Sequence, residues 1–142
     1  MLDRAAIEAI IPHRDPFLLV DRVLDMEAGM SATAELDVRE TAFWVAGHFP
    51  GYPVMPGVLI VEELAQTGAV ALLSLPENRG KLALFAGIDD VRFKRIVRPG
   101  ETLLLECEVE AVRGPVGRGR VKATVDGRLA VRGVLTFAVG DE

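Results

Sequence analysis

The stretch Gly47-His48-Phe49-Pro50-Gly51-Tyr52-Pro53-Val54-Met55-Pro56-Gly57, running on into an apolar segment over residues 58–75, decides how this chain folds. Its first half holds three prolines and three glycines, so it is a loop whose path is tightly dictated. Its second half reads as a helix in which Val58, Leu59, Ile60, Val61, Leu64, Ala65, Val70, Ala71, Leu72, Leu73 and Leu75 occupy nearly every face. A helix apolar all round is buried on all sides rather than laid on a surface. Pro76 closes it, because proline disfavours helical geometry in the residue before it. The segment also carries Glu62, Glu63, Gln66 and Thr67. Glu62 and Gln66, four apart, share a face, so at least one carboxyl is carried into an apolar place. The run approaches the ~20 residues that span a bilayer. Two adjacent glutamates argue against that, since each intramembrane charge costs about 2.5 kcal/mol or more.

At 142 residues with half of them hydrophobic, the chain is expected to form one domain over 1–142 with a sizeable core. A net charge of -5 gives no reason to expect nucleic acid. The single cysteine, Cys107, allows no disulfide within the chain and no structural zinc site. No basic and apolar leader precedes the first elements, so a cytoplasmic location is expected.

Outward from the central stretch, Asp3 is placed to cap a short helix over 4–11, ended by Pro12. Residues 17–25 and 31–38 read as strands separated by a turn at Gly29. After a polar loop over 77–80, residues 81–95 favour strands around Gly87, and Pro99-Gly100 is a turn. Residues 101–112 alternate, with Leu103, Leu105, Cys107, Val109 and Ala111 facing one way. Residues 113–119, rich in glycine, read as a loose connection. Residues 120–125 and 128–139 are strands joined by Asp126-Gly127, a strong hairpin signal. One strongly apolar helix among sequential antiparallel strands points to an α+β fold in which a sheet curls around that helix.

His48 and Glu62 are the residues with the chemistry for proton transfer. Imidazole is a base near neutral pH. A carboxyl buried among Leu59, Ile60 and Val61 is expected to stay protonated through desolvation and so to donate. Gly57 heads the helix, where free backbone N–H groups can polarise a carbonyl oxygen. A lone loop histidine is more often structural than catalytic, and a helical glutamate is usually a solvated charge, which is the expectation for Glu63. Physics alone stops at an acid and a base near a helix N-terminus.

Pro12-His13-Arg14-Asp15-Pro16-Phe17-Leu18-Leu19-Val20-Asp21-Arg22, together with Gly47-His48-Phe49-Pro50-Gly51 and Met55-Pro56-Gly57-Val58-Leu59-Ile60-Val61-Glu62, resembles the 3-hydroxyacyl-[acyl-carrier-protein] dehydratases of type II fatty acid synthesis, of the FabZ kind. Phe85-Ala86-Gly87-Ile88-Asp89, Arg92-Phe93-Lys94-Arg95 and Val125-Asp126-Gly127 extend the resemblance over most of the chain. It implies a hot-dog fold and a homodimer whose two sites lie at the interface, commonly three dimers to a hexamer. It implies His48 as catalytic base and Glu62 as catalytic acid from opposite subunits, the Gly57 amide on the thioester carbonyl, and Gln66 orienting Glu62. No metal or redox cofactor is implied. The partner implied is acyl carrier protein, with Arg92, Lys94, Arg95 and Arg98 as the best basic cluster to meet it. An apolar tunnel for the acyl chain is expected from Phe49, Val58, Leu59, Ile88 and Phe93. Dehydratase–isomerases of the FabA kind carry aspartate where Glu62 stands, which favours a plain dehydratase. Asp15 and Tyr52 depart from the family pattern, so no gating residue is carried over. His13 and Arg14 are read as structural, and Phe43 and Trp44 as core or interface packing. The rival readings are a hot-dog thioesterase and a non-catalytic acyl-thioester-binding module. A DNA-binding regulator would need a further segment, for which the sequence has no spare residues.

Overall fold

The computed structural model describes residues 1–141. In order it has α1 (Arg4–Glu8), β1 (Arg22–Glu27), β2 (Ser31–Asp37), α2 (Gly57–Leu73), a 3-10 turn at Pro76–Asn78, β3 (Leu82–Phe93), β4 (Thr102–Arg113), β5 (Val116–Val125) and β6 (Arg128–Gly140). The strands form one antiparallel sheet in the order β1-β2-β4-β5-β6-β3. The chain leaves β2, passes through α2 and re-enters the sheet at its opposite edge, as β3. The helix touches all six strands on the way. This is the hot-dog arrangement, and it follows from α2 being apolar on nearly every face: only a sheet curled around it removes most of them from water. From Glu63 to Leu73 every residue of α2 is buried.

Small residues let helix and sheet approach. A Cβ added at Gly68, midway along α2, would meet Phe137 at 2.8 Å and Cys107 Sγ at 3.0 Å. One added at Gly119 would lie 2.8 Å from the same sulfur. Cys107 therefore sits in a slot between α2, β5 and β6 that two missing side chains create.

Several local expectations are corrected by long-range contacts. Residues 17–20 do not form a strand, although Leu18, Leu19 and Val20 are buried. Their backbone groups are taken by side chains from elsewhere: Gln66 binds Leu19 N–H and Phe17 C=O, and Arg4 donates to Leu18 C=O. Helix α1 is shorter than read, ending at Glu8 in a turn over the next residues. Helix α2 ends at Leu73, before Pro76. Residues 113–119 are not a loose connection. β4 runs to Arg113 and β5 starts at Val116, and Gly117 and Gly119 lie within β5, where they clear room for Leu72 and Cys107. The alternation in β4 breaks at a bulge between Val109 and Ala111, which leaves Ala111 exposed. The Asp126-Gly127 hairpin is as expected, with φ of 49° and 77° at the two residues, the left-handed pair that a tight hairpin uses. Trp44 is core, whereas Phe43 is exposed.

Burial pushes the Cys107 thiol up to about 12, because the thiolate would have to form away from water. Cys107 is expected to resist iodoacetamide at pH 8 in the folded protein and to take one equivalent once unfolded, read by mass spectrometry; rapid native labelling would contradict the packing.

Candidate active site

The loop over residues 47–56 is held by its own backbone. His48 N–H donates to Trp44 C=O and His48 C=O accepts from Val54 N–H, at 3.0 and 2.8 Å. Phe49 and Tyr52 exchange both backbone bonds, with Gly51 at φ +74° completing the tight turn, and Met55 N–H bonds to Val97 C=O ahead of β4. The His48–Phe49 peptide bond is cis, and the two rings stack with centroids 4.0 Å apart. His48 Nδ1 lies 2.6 Å from Val54 C=O. A carbonyl only accepts, so Nδ1 carries the hydrogen and Nε2 presents its lone pair. The loop thus fixes both the orientation and the tautomer of a base.

The Glu62 carboxyl is set by α2. Gln66 is fully buried, and Leu19 N–H donates to its Oε1 at 2.9 Å. That bond fixes the amide orientation, so Nε2 is the end that faces Glu62 and donates to Glu62 Oε2 at 3.0 Å. With Oε2 already accepting, Oε1 is the oxygen left to carry a proton outward. Glu62 keeps about a fifth of its side chain exposed. Beside it, His13 Nε2 stands 3.6 Å from the same Oε2.

Glu63, expected to be a solvated charge, is fully buried, with neither carboxylate oxygen hydrogen-bonded. Desolvation, with the nearby charges of Glu62 and Asp21 adding to it, pushes this carboxyl well above its ordinary range. The strongly perturbed buried carboxyl of the helix is therefore Glu63. Sequence could not choose between adjacent glutamates separated by ~100° around a helix without knowing which flank the sheet covers.

Gly57 opens α2 with no side-chain cap. Phe93 packs on it so closely that a Cβ at Gly57 would lie 2.6 Å from the ring. The structure therefore joins Gly57 to Phe93, and Glu62 to Gln66 and His13. It does not join His48 to Glu62: among the described residues no hydrogen bond or ion pair connects them within one chain. Nor does one chain enclose the expected tunnel. Val58 is 74% exposed, Phe93 56%, Ile88 53% and Phe49 51%, with Leu59 half-buried. The sheet carries a groove of about 770 Å³ lined by polar residues such as Thr33, Glu106, Lys122 and Arg132, and Trp44 and Met55 line another of about 350 Å³. Neither is lined by His48, Glu62 or the expected tunnel residues.

The basic cluster divides. Arg95 is committed to Glu101, with contacts of 2.6 and 3.1 Å, and that bond holds the Glu101 carboxyl below its usual range. Arg98 lies over the Tyr52 ring at 4.4 Å, which gives the departing Tyr52 a packing role. Arg92 and Lys94 are exposed without a carboxylate partner among the described residues. Asp15 is exposed, 3.9 Å from Arg4.

The family model for the FabA-like domain matches residues 11–134. The chain belongs to this family. It is similar to the 3-hydroxyacyl-[acyl-carrier-protein] dehydratases FabZ of Bacillus anthracis, at 58% identity over 142 residues, all of this chain and 99% of the relative. That of Staphylococcus carnosus is 57% identical over 99% of this chain and 97% of its own. That of Chloroflexus aggregans is 57% identical over 99% and 98%. Among solved structures, the dehydratase heterocomplex ApeI:P from Xenorhabdus doucetiae has a TM-score of 0.82 over 96% of this chain and 91% of that one. Its identity of 17% makes it a match of fold.

Glu63 gives the fold a pH signature. Its folded-state carboxyl is raised above the unfolded value of 4.5, so between that value and the folded one the unfolded chain is ionised and the native one is not. Native stability is then lost as pH rises above 4.5. Glu63→Gln is expected to melt with a shallower fall in Tm from pH 5 to pH 8 than the parent; parallel slopes would show that Glu63 does not titrate with folding.

Proposed function

We infer that this chain dehydrates (3R)-3-hydroxyacyl chains carried on acyl carrier protein to the trans-2-enoyl thioester. Family membership supports the reaction, and one geometric observation supports the division of labour. The backbone leaves His48 with a free Nε2 lone pair, while Gln66 leaves Glu62 with a free Oε1. The thioester carbonyl, polarised by the Gly57 N–H at the head of α2, acidifies the C2–H bonds. His48 Nε2 takes one C2 proton. The electron pair left behind forms the C2=C3 bond as the C3–O bond breaks. Glu62 Oε1–H protonates the departing hydroxyl, which leaves as water. A proton passing from imidazolium to carboxylate restores the starting state.

The proposed site is assembled from two chains. Two observations favour a dimer: His48 and Glu62 are unconnected within one chain, and β3 is a twelve-residue edge strand. That strand exposes Leu84, Phe85, Ile88 and Phe93 beside unpaired backbone groups. Long apolar edges are avoided in free proteins, so a second copy pairing along β3 would cover this one. The same pairing would bring Phe49, Val58, Leu59, Ile88 and Phe93 together around an acyl chain. Three such dimers form the hexamer common in the family.

The deciding assay follows enoyl formation and thiol release in parallel on a 3-hydroxyacyl-carrier substrate. Enoyl product without thiol is expected, and its rate should fall about 10²–10⁴-fold in His48→Ala and in Glu62→Gln. Thiol without enoyl would instead indicate a thioesterase. For the carrier itself, Arg92 and Lys94 remain as docking charges, since Arg95 and Arg98 hold structural partners. Charge reversal at both is expected to raise KM for the carrier-linked substrate and leave KM for a pantetheine thioester unchanged; equal effects on both substrates would remove the docking role.

A further inference from the structure

We propose that His13 is a positioning residue for the acid, donating through Nε2–H to Glu62 Oε2 as charge develops on that carboxylate. The inference rests on the reading of Glu62 as the acid and adds a residue to it. Its starting point is the environment of the imidazole. His13 Nδ1 is buried with no hydrogen-bond partner, and the ring makes no hydrogen bond to any described residue. Its Nε2 lies 3.6 Å from Glu62 Oε2. A structural histidine normally spends a ring nitrogen on a backbone group; this one is aimed at a reacting side chain.

The tautomer follows from burial. An N–H at Nδ1 would be a buried donor without an acceptor, and such a group costs about 1–3 kcal/mol. A bare lone pair there is the cheaper arrangement, so the hydrogen resides on Nε2, facing Glu62. At 3.6 Å this contact is a few tenths of an ångström beyond a normal N–H···O distance. Catalytic hydrogen bonds in a site without substrate are often long and tighten as the reaction proceeds.

The segment carrying His13 is built to hold it. Arg14 donates to three backbone oxygens, those of His13, Ile11 and Glu8, at 2.7, 3.0 and 3.0 Å. The Arg14 carbonyl in turn accepts from Phe17 N–H and Leu18 N–H. Gln66 then clamps Phe17 and Leu19 to α2. The backbone to either side of His13 is thereby tied to the helix that presents Glu62.

Two donors, Gln66 Nε2–H and His13 Nε2–H, then converge on Oε2 and leave the transferable proton on Oε1. When Oε1 gives up that proton, the carboxylate becomes negative and both bonds strengthen. This help is absent while Glu62 is neutral and substrate is merely bound, so it acts on kcat and not on KM.

The test measures kcat and KM on a small 3-hydroxyacyl thioester for His13→Leu, His13→Gln and His13→Asn, each also made with Glu62→Gln. The Gln amide reaches about where Nε2 stands, and the Asn amide does not. His13→Leu and His13→Asn are expected to lower kcat about 10- to 100-fold with KM changed less than twofold. His13→Gln should restore most of the rate. In the Glu62→Gln background, where no carboxylate forms, removing His13 should cost nothing more. Full kcat in His13→Leu would overturn the proposal, as would equal losses in the Gln and Asn variants, or the same loss in both backgrounds. If His13→Leu does not fold, the Gln and Asn pair, matched by melting temperature, decides. A fully active Glu62→Gln would sink the underlying assignment of the acid, an outcome distinct from any failure of His13.

Discussion

The Gln66 amide is the interaction on which the rest of this site depends. It is fully buried, yet it has a partner at each end: Leu19 N–H on its oxygen, and Phe17 C=O and Glu62 Oε2 on its nitrogen. Leaving any of these buried groups unpaired would cost about 1–3 kcal/mol, so the amide is locked in one orientation. That orientation decides which Glu62 oxygen accepts and which is free. It also prevents residues 17–20 from joining the sheet, which keeps the segment bearing His13 against the helix.

Around this lock, the two halves of the chemistry are held by different means. The His48 imidazole is fixed by a short loop whose hydrogen bonds are nearly all local, ending in the Val54 carbonyl on His48 Nδ1. The Glu62 carboxyl is fixed by groups from distant parts of the chain, gathered on α2. Among the described residues no hydrogen bond or ion pair links His48 to Glu62 within one chain, and Phe49, Val58, Ile88 and Phe93 stand exposed.

The same helix carries costs that the site does not use. Glu63 occupies a wholly buried position without a hydrogen bond, next to the carboxyl groups of Glu62 and Asp21, and is pushed toward its neutral form as a result. Gly68 forgoes helix propensity of about 1 kcal/mol relative to alanine so that Phe137 and Cys107 can reach the helix axis. Both are consequences of curling a sheet around one helix, so that from Glu63 to Leu73 no face remains to receive a charge or a bulky side chain.

The sequence by itself determined those features that depend on local period and backbone chemistry. An apolar run between a Pro/Gly loop and Pro76 could only be a buried helix, Asp126-Gly127 could only be a tight turn, and the alternation from Leu103 to Cys107 marked an inner face. Residue chemistry picked out His48, Glu62 and Gly57 as a base and an acid near a helix N-terminus and put Gln66 on the Glu62 face, and the resemblance of the motifs supplied the roles expected of them. Tertiary structure alone decided what hangs on partners far along the chain. It chose Glu63 over Glu62 for full burial, because the two differ only in which side of the helix the sheet covers. It turned Gly117 and Gly119 from turn formers into packing gaps, because Leu72 and Cys107 arrive there from other elements. It withdrew residues 17–20 from the sheet, because a glutamine 47 positions downstream claims the Leu19 amide. And it set His13 beside Glu62, a juxtaposition that no spacing in the sequence encodes, since it arises only when the N-terminal segment closes over the helix.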